Sequence, residues 1–120
     1  MGLAGKRDRF EGTTFHLTPE SIWRAQEASP SFEPEAFARE DFIHCTNGAD
    51  EVLAVGNKYY RFDTRPYVVL ELDVELVSAP IRYDDVLMLY PHIYGRVNRE
   101  AIVAARTIER DPSGRFLAIR

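Results

Sequence analysis

The chain has a single cysteine, Cys45, so it can form no internal disulfide and no cysteine-built zinc cluster. It lacks long hydrophobic runs as well: the longest uninterrupted one is about five residues, Val86 to Tyr90. A bilayer span needs about twenty. The N-terminal stretch Met1–Arg9 has no apolar core of the signal-peptide kind, and Lys6 breaks the myristoylation pattern. A cytoplasmic protein without a membrane partner is the expectation. The seven glycines never approach dinucleotide-binding spacing, and there is no phosphate loop, no HExxH and no nucleophile elbow. A standard dinucleotide fold is excluded on those grounds. Positive charge is also short, with 15 Lys and Arg against 19 Asp and Glu. That balance argues against general nucleic-acid binding.

What is present is one ordinary domain: 120 residues, 45% hydrophobic and 28% charged. Charge is unevenly placed along it. Residues 96–120 carry six arginines and three acids, or +3, which leaves −7 on residues 1–95.

Residues 1–12 read as a polar arm and 13–120 as the domain. A strand is expected at Thr13–Leu17. Thr18 and Pro19 then fit the N-cap and first position of a helix running to about Ala28, with Ile22 and Trp23 in the core. Pro34 opens a single helical turn over Glu35–Arg39, and Phe42–Thr46 reads as a short strand. From Asp50 a second main helix would carry Val52, Val55 and Tyr59 on one face, widened by Leu53 and Tyr60. Tyr67–Val74 is the clearest strand, with Val68, Leu70, Leu72 and Val74 to one side. Ile81–Tyr83, Ile102–Glu109 and Phe116–Ile119 are further strands, and Asp111–Gly114 is a turn. Strands outnumber helices, and the helices fall in the first half. The fold class expected is α+β.

The three histidines stand in distinctive segments: Phe15-His16-Leu17-Thr18, Phe42-Ile43-His44-Cys45-Thr46 and Pro91-His92-Ile93-Tyr94-Gly95. Alternate strand residues share a face, so His16 pairs with Thr18 and His44 with Thr46. Imidazoles and hydroxyls suit sugar hydroxyls and phosphate oxygens. Gly95 allows either backbone approach to a ligand or a turn. Arg96 and Arg99 follow as candidate phosphate partners. Asp84 is a candidate carboxylate, or part of a turn. Three histidines could also hold zinc, but no local spacing anchors such a site and no metal is expected. Cys45 and Trp23 read as core residues.

These segments, in this order, resemble the bacterial domain-of-unknown-function family 952. The shared pattern is a first strand ending in Leu17-Thr18, a helix with Trp23, the run Phe42–Thr46, an apolar strand like Val68–Val74, and Pro91–Gly95 intact. Asp41 stands where the family usually has Gly, and Asp84 where it often has Glu. The resemblance extends to the ADP-ribosyltransferase-like fold and its RNA 2′-phosphotransferases. It implies a compact split β-sheet, two main helices in the first half, and a cleft for NAD or a phosphorylated ribonucleotide as small-molecule partner. In that cleft His44, His92 and Asp84 would be catalytic. His16, Thr18, Thr46, Tyr94, Gly95, Arg96 and Arg99 would bind the ligand, with Tyr94 or Tyr90 as a platform for nicotinamide. The resemblance supplies no Glu in an evident third catalytic position, so a non-catalytic interaction module with the same fold is the alternative. Oligomeric state is not legible.

Overall fold

The computed structural model describes residues 12–120, so the expected arm lies outside the described residues except for Gly12. The strands form an antiparallel, curled arrangement with few helices. Its main sheet has the order β1 (Thr13–Pro19), β4 (Tyr67–Asp73), β8 (Ile102–Arg110), β9 (Phe116–Ile119). A second ladder runs β3 (Ile43–His44), β6 (Pro91–Ile93), β5 (Ile81–Tyr83), and β2 (Ser31–Phe32) pairs with β7 (Val97–Asn98). Among the described residues the α-helices lie in the first half: α1 (Glu20–Arg24), α2 (Phe37–Glu40) and α3 (Ala49–Tyr59).

β4 is buried on both faces. Val68, Leu70 and Leu72 pack with Phe32, Ile43, Ile93 and Val97. Tyr67 and Val69, on the opposite face, pack with Leu17, Val52 and Phe116. Central strands covered on both sides read as continuous apolar runs, and Tyr67–Leu70 does. Val74 leaves the strand in a 3-10 turn, Val74–Leu76, where the Asp73 carboxylate accepts the Glu75 N–H at 2.9 Å.

β1 continues through Pro19, two residues past the expected end, and the helix after it is only five residues long. Thr18 is therefore a strand residue and caps nothing. The Glu20 N–H donates instead to the Pro66 carbonyl at 2.8 Å. The helix also stops well short of Ala28, because tertiary partners take the groups that would extend it. The Gln26 amide spans to the backbone of Glu33 at 2.8 and 3.1 Å. Arg99 takes the Gln26 and Ser29 carbonyls. Trp23 is half-buried rather than core, edge-on to Phe32 and under the Arg99 guanidinium at 4.8 Å.

α3 packs on the main sheet through Val52 and Gly56. A Cβ at Gly56 would come within 2.8 Å of the Phe116 ring, so glycine permits this close approach. Asp50 and Glu51 in its first turn and Lys58 in its last suit the helix dipole. Val55 and Tyr59 do not join the core face; Tyr59 is 64% exposed. The apolar run Val86–Tyr90 is an exposed turn, with Val86 98% exposed. The Asp85 carboxylate holds that turn by accepting the Leu89 and Tyr90 N–H groups at 2.9 and 3.1 Å. No helix among the described residues is long and apolar enough to cross a membrane.

Candidate functional site

The site sits where the two larger ladders meet. Phe15 on β1 and Thr46 after β3 exchange backbone hydrogen bonds at 2.9 and 2.8 Å, an isolated bridge that joins the ladders. Within the second ladder, His44 lies directly opposite His92 in the antiparallel register of β3 and β6. His16, His44 and His92 thus come from three separate segments to line one cleft of about 990 Å³. Thr18, Thr46 and Asp84 line it too, as do Tyr90, Arg39, Glu40 and Lys58.

His16 forms part of the inner wall and is 7% exposed. Its Nδ1 lies 2.6 Å from the His44 carbonyl oxygen. A carbonyl can only accept, so Nδ1 carries the proton and Nε2 presents a lone pair. Burial lowers the pKa to about 4, and the nearby His44 imidazole adds to that, against the backbone hydrogen bond. The ring is therefore neutral near pH 7. His16 Nε2 and Thr18 Oγ1 are both buried without a hydrogen-bond partner among the described residues, as is Thr14 Oγ1 on the same strand face. Buried polar atoms are rarely left unpaired in a native structure, and an unmade bond of this kind costs about 1–3 kcal/mol.

His44 and His92 each have a carboxylate. His44 Nε2 donates to Glu40 Oε1 at 3.0 Å, and His92 Nδ1 donates to Asp84 Oδ2 at 2.9 Å. The same Asp84 oxygen accepts the Tyr94 hydroxyl at 3.0 Å, and Arg82 pairs with the other at 3.4 Å. Tyr94, then His92, hold the Asp84 carboxyl below its usual range, and the same bond raises the Tyr94 phenol. The two imidazoles stand 5.0 Å apart at 84°. Phe42 orders both, stacked on His92 at 4.3 Å and edge-on to His44 at 4.8 Å.

Four expected ligand-binding residues do not line the cleft. The Tyr94 ring lies beside Phe42 and under Arg82, and its hydroxyl is spent on Asp84. Gly95 brings its backbone against Ala79, whose Cβ would be 2.8 Å from an added Cβ, so packing accounts for the glycine. Arg96 binds Ser31 at 2.8 Å and Glu33 at 2.7 Å. Arg99 donates to the Gln26 carbonyl at 2.6 Å and the Ser29 carbonyl at 2.9 Å. Their position just after the third histidine segment misleads, because the chain turns away through β7. The cations that do line the cleft are Arg39 and Lys58. The Arg39 guanidinium has no hydrogen bond or ion pair among the described residues, its backbone N–H alone donating, to the Ala36 carbonyl.

Glu40, Arg39, Lys58 and Phe42 were missed in the sequence. Glu40 and His44 are four apart but belong to different elements, so helical spacing does not explain their meeting. Asp41 between them turns the chain in the left-handed region, at φ 64°. Glycine meets that demand without a side-chain penalty, so the glycine that the sequence resemblance implies at this position would have a backbone reason. Cys45 is buried, and burial pushes its thiol pKa up, which suits a core residue rather than a nucleophile. Among the described residues, no three His, Cys, Asp or Glu side chains are grouped so that they could hold a metal ion.

Comparison with known proteins bears on this architecture. The crystal structure of protein CC0527 from Caulobacter crescentus superposes with a TM-score of 0.74 at 18% identity, over 88% of this chain and 93% of that one. Its solution NMR structure gives 0.66 at 19%, over 85% and 89%. Identity this low establishes the shared fold alone. No curated protein matches the chain. The model of the family described as "Protein of unknown function (DUF952)" matches residues 17–105, a span that takes in Thr18 and the second and third histidine segments. The chain belongs to that family.

Proposed function

We propose that the cleft binds a ribonucleotide, either NAD or a phosphorylated ribonucleotide, and transfers an ADP-ribosyl or phosphate group from it. One observation carries this reading. Two carboxylate-oriented histidines face each other in a cleft whose inner wall holds unpartnered His16 Nε2 and Thr18 Oγ1. Oriented imidazoles are the commonest acid–base groups, and a carboxylate on the far nitrogen fixes the tautomer. His16 Nε2 and Thr18 Oγ1 are buried, and a ribose hydroxyl that displaced their cover would complete their hydrogen bonding. Thr46 offers a further hydroxyl beside them. Arg39 and Lys58 take the phosphate-binding role first given to Arg96 and Arg99. With Tyr94 committed to Asp84, Tyr90 is the expected platform that does line the cleft, where Tyr59, Tyr60 and Tyr67 also stand. The relationship to the ADP-ribosyltransferase-like fold is part of this proposal, supported by antiparallel strands that meet around one cleft.

The test is a thermal-shift series with NAD, ADP-ribose and adenosine 2′-phosphate. A ligand at 100 times its Kd stabilises by about 2.7 kcal/mol. A saturable rise in Tm that His44→Ala abolishes is the expected result. No shift from any of the three at millimolar concentration contradicts the reading and favours an interaction module without a nucleotide site.

A further inference from the structure

The two carboxylate–histidine pairs differ in which ring nitrogen they engage. Glu40 accepts from Nε2 of His44, so Nδ1 is the nitrogen left over on that ring. Asp84 accepts from Nδ1 of His92, so Nε2 is left over there. Neither leftover nitrogen has a partner among the described residues. The paired register places both rings side by side, and Phe42 fixes the plane of each. The rings also differ in setting: the His44 side chain is 56% exposed and that of His92 only 18%.

We propose that Glu40 and Asp84 are positioning residues that hold His44 and His92 in opposite tautomers, making them an acid–base couple for a ribonucleotide phosphodiester. This rests on the nucleotide reading above and narrows it. With one extra proton on the couple, one ring accepts at its leftover nitrogen while the other donates. Phosphodiester hydrolysis needs both acts. One imidazole takes a proton from water as the water oxygen bonds to phosphorus. The bond from phosphorus to the leaving ribose oxygen breaks, and its electron pair stays on that oxygen. The second imidazolium then protonates the oxygen. The two rings have exchanged protonation states, and the cycle closes when one ring returns its proton to solvent and the other takes one up, His44 being the more exposed of the two. Cleavage of NAD at its nicotinamide bond has no use for the acid, since nicotinamide departs as a neutral base. A paired acid and base therefore points to an oxygen leaving group rather than to nicotinamide.

The experiment combines ring-¹⁵N NMR of the histidines with ³¹P NMR of adenosine 2′,3′-cyclic phosphate, in the full chain and in Glu40→Gln and Asp84→Asn. In the parent protein, His44 is expected as the Nε2–H form and His92 as the Nδ1–H form. The cyclic phosphate is expected to open to a monoester with a bell-shaped pH dependence of kcat. Glu40→Gln should lower kcat about 10- to 100-fold, leave KM within about twofold, and distort one limb of the bell. A merely structural role would leave the limb in place. Asp84→Asn gives the same readout on His92 should Glu40→Gln unfold. Identical tautomers on the two rings, or an unchanged pH profile in both variants, overturns the couple. Binding of the cyclic phosphate without turnover also overturns it, while leaving the binding cleft intact. Failure of the cyclic phosphate, NAD and ADP-ribose all to bind overturns the nucleotide reading and the couple with it.

Discussion

Arg99 and Arg110, near the C-terminal strands, and His16 and Thr18 on β1 all place polar groups inside the protein, yet their surroundings differ. Arg110 donates to the carbonyls of Gly114, Arg65, Tyr60, Arg61 and Asp63 at 2.8–3.3 Å and covers the Phe116 ring at 4.2 Å. Arg99 is satisfied in the same manner by Gln26 and Ser29. On β1, His16 Nε2 and Thr18 Oγ1 have no hydrogen-bond partner among the described residues. The first region uses charge to close the fold, and the second leaves buried polar atoms unpaired in residues that line a cleft. This difference also accounts for the charge split along the sequence. Arg96 pairs with Glu33, Arg106 with Glu71 and Arg120 with Glu109. The basic end of the chain is largely answered by acids and carbonyls of the same molecule, so no anionic ligand is needed to explain it.

The comparison can be broken most severely at Arg110. Arg110→Ala strips a half-buried donor from several carbonyls at once and uncovers Phe116. A loss of about 3 kcal/mol or more is expected in urea unfolding, and less than about 1 kcal/mol would mean those carbonyls find water instead.

A loss of comparable size is expected from pH acting on His16. Its folded pKa is depressed to about 4 from 6.5, so the unfolded chain binds the proton first as pH falls. The His16 contribution to stability is complete above about pH 6.5, declines between there and about pH 4, and levels off below. Two and a half units correspond to about 3 kcal/mol. Urea midpoints across that window should show this slope, and His16→Gln should flatten it.

Gly56→Ala forces a methyl into the Phe116 ring and should cost about 1–3 kcal/mol by the same measurement. The smallest effects belong to the threonines. Thr18→Val and Thr14→Val each remove a buried hydroxyl with no partner. Both should be neutral or stabilising by up to about 1 kcal/mol, where a paired hydroxyl would show a loss. Only Thr18 lines the cleft, so only Thr18→Val should weaken nucleotide binding, as read by calorimetric titration.

Much of this is visible in the residues, and the rest fails for identifiable reasons. Tyr67–Asp73 and Phe116–Ile119 are legible because their apolar residues are continuous or bounded by turn residues. β2 and β7 are two-residue pairings, too short for any periodic signal. The helix expected after Thr18 is cut short by Gln26 and Arg99, a competition between distant residues that local propensity does not see. At the cleft, the three histidine segments, Thr18, Thr46 and Asp84 carry recognisable patterns, and the structure brings them together. Arg96 and Arg99 do not follow, because adjacency in sequence says nothing about direction after a turn. Glu40 was hidden for the converse reason. Its approach to His44 depends on the left-handed Asp41 rather than on any spacing rule.

The central claim is that the unpartnered polar groups on β1 and the paired histidines serve a nucleotide. An amide NMR titration with NAD and adenosine 2′-phosphate tests it most directly. The account predicts saturable shifts concentrated at His16, Thr18, His44, Thr46 and His92, with Arg96 and Arg99 unmoved. Shifts centred on Arg96 and Arg99, or none that saturate at millimolar ligand, would contradict it.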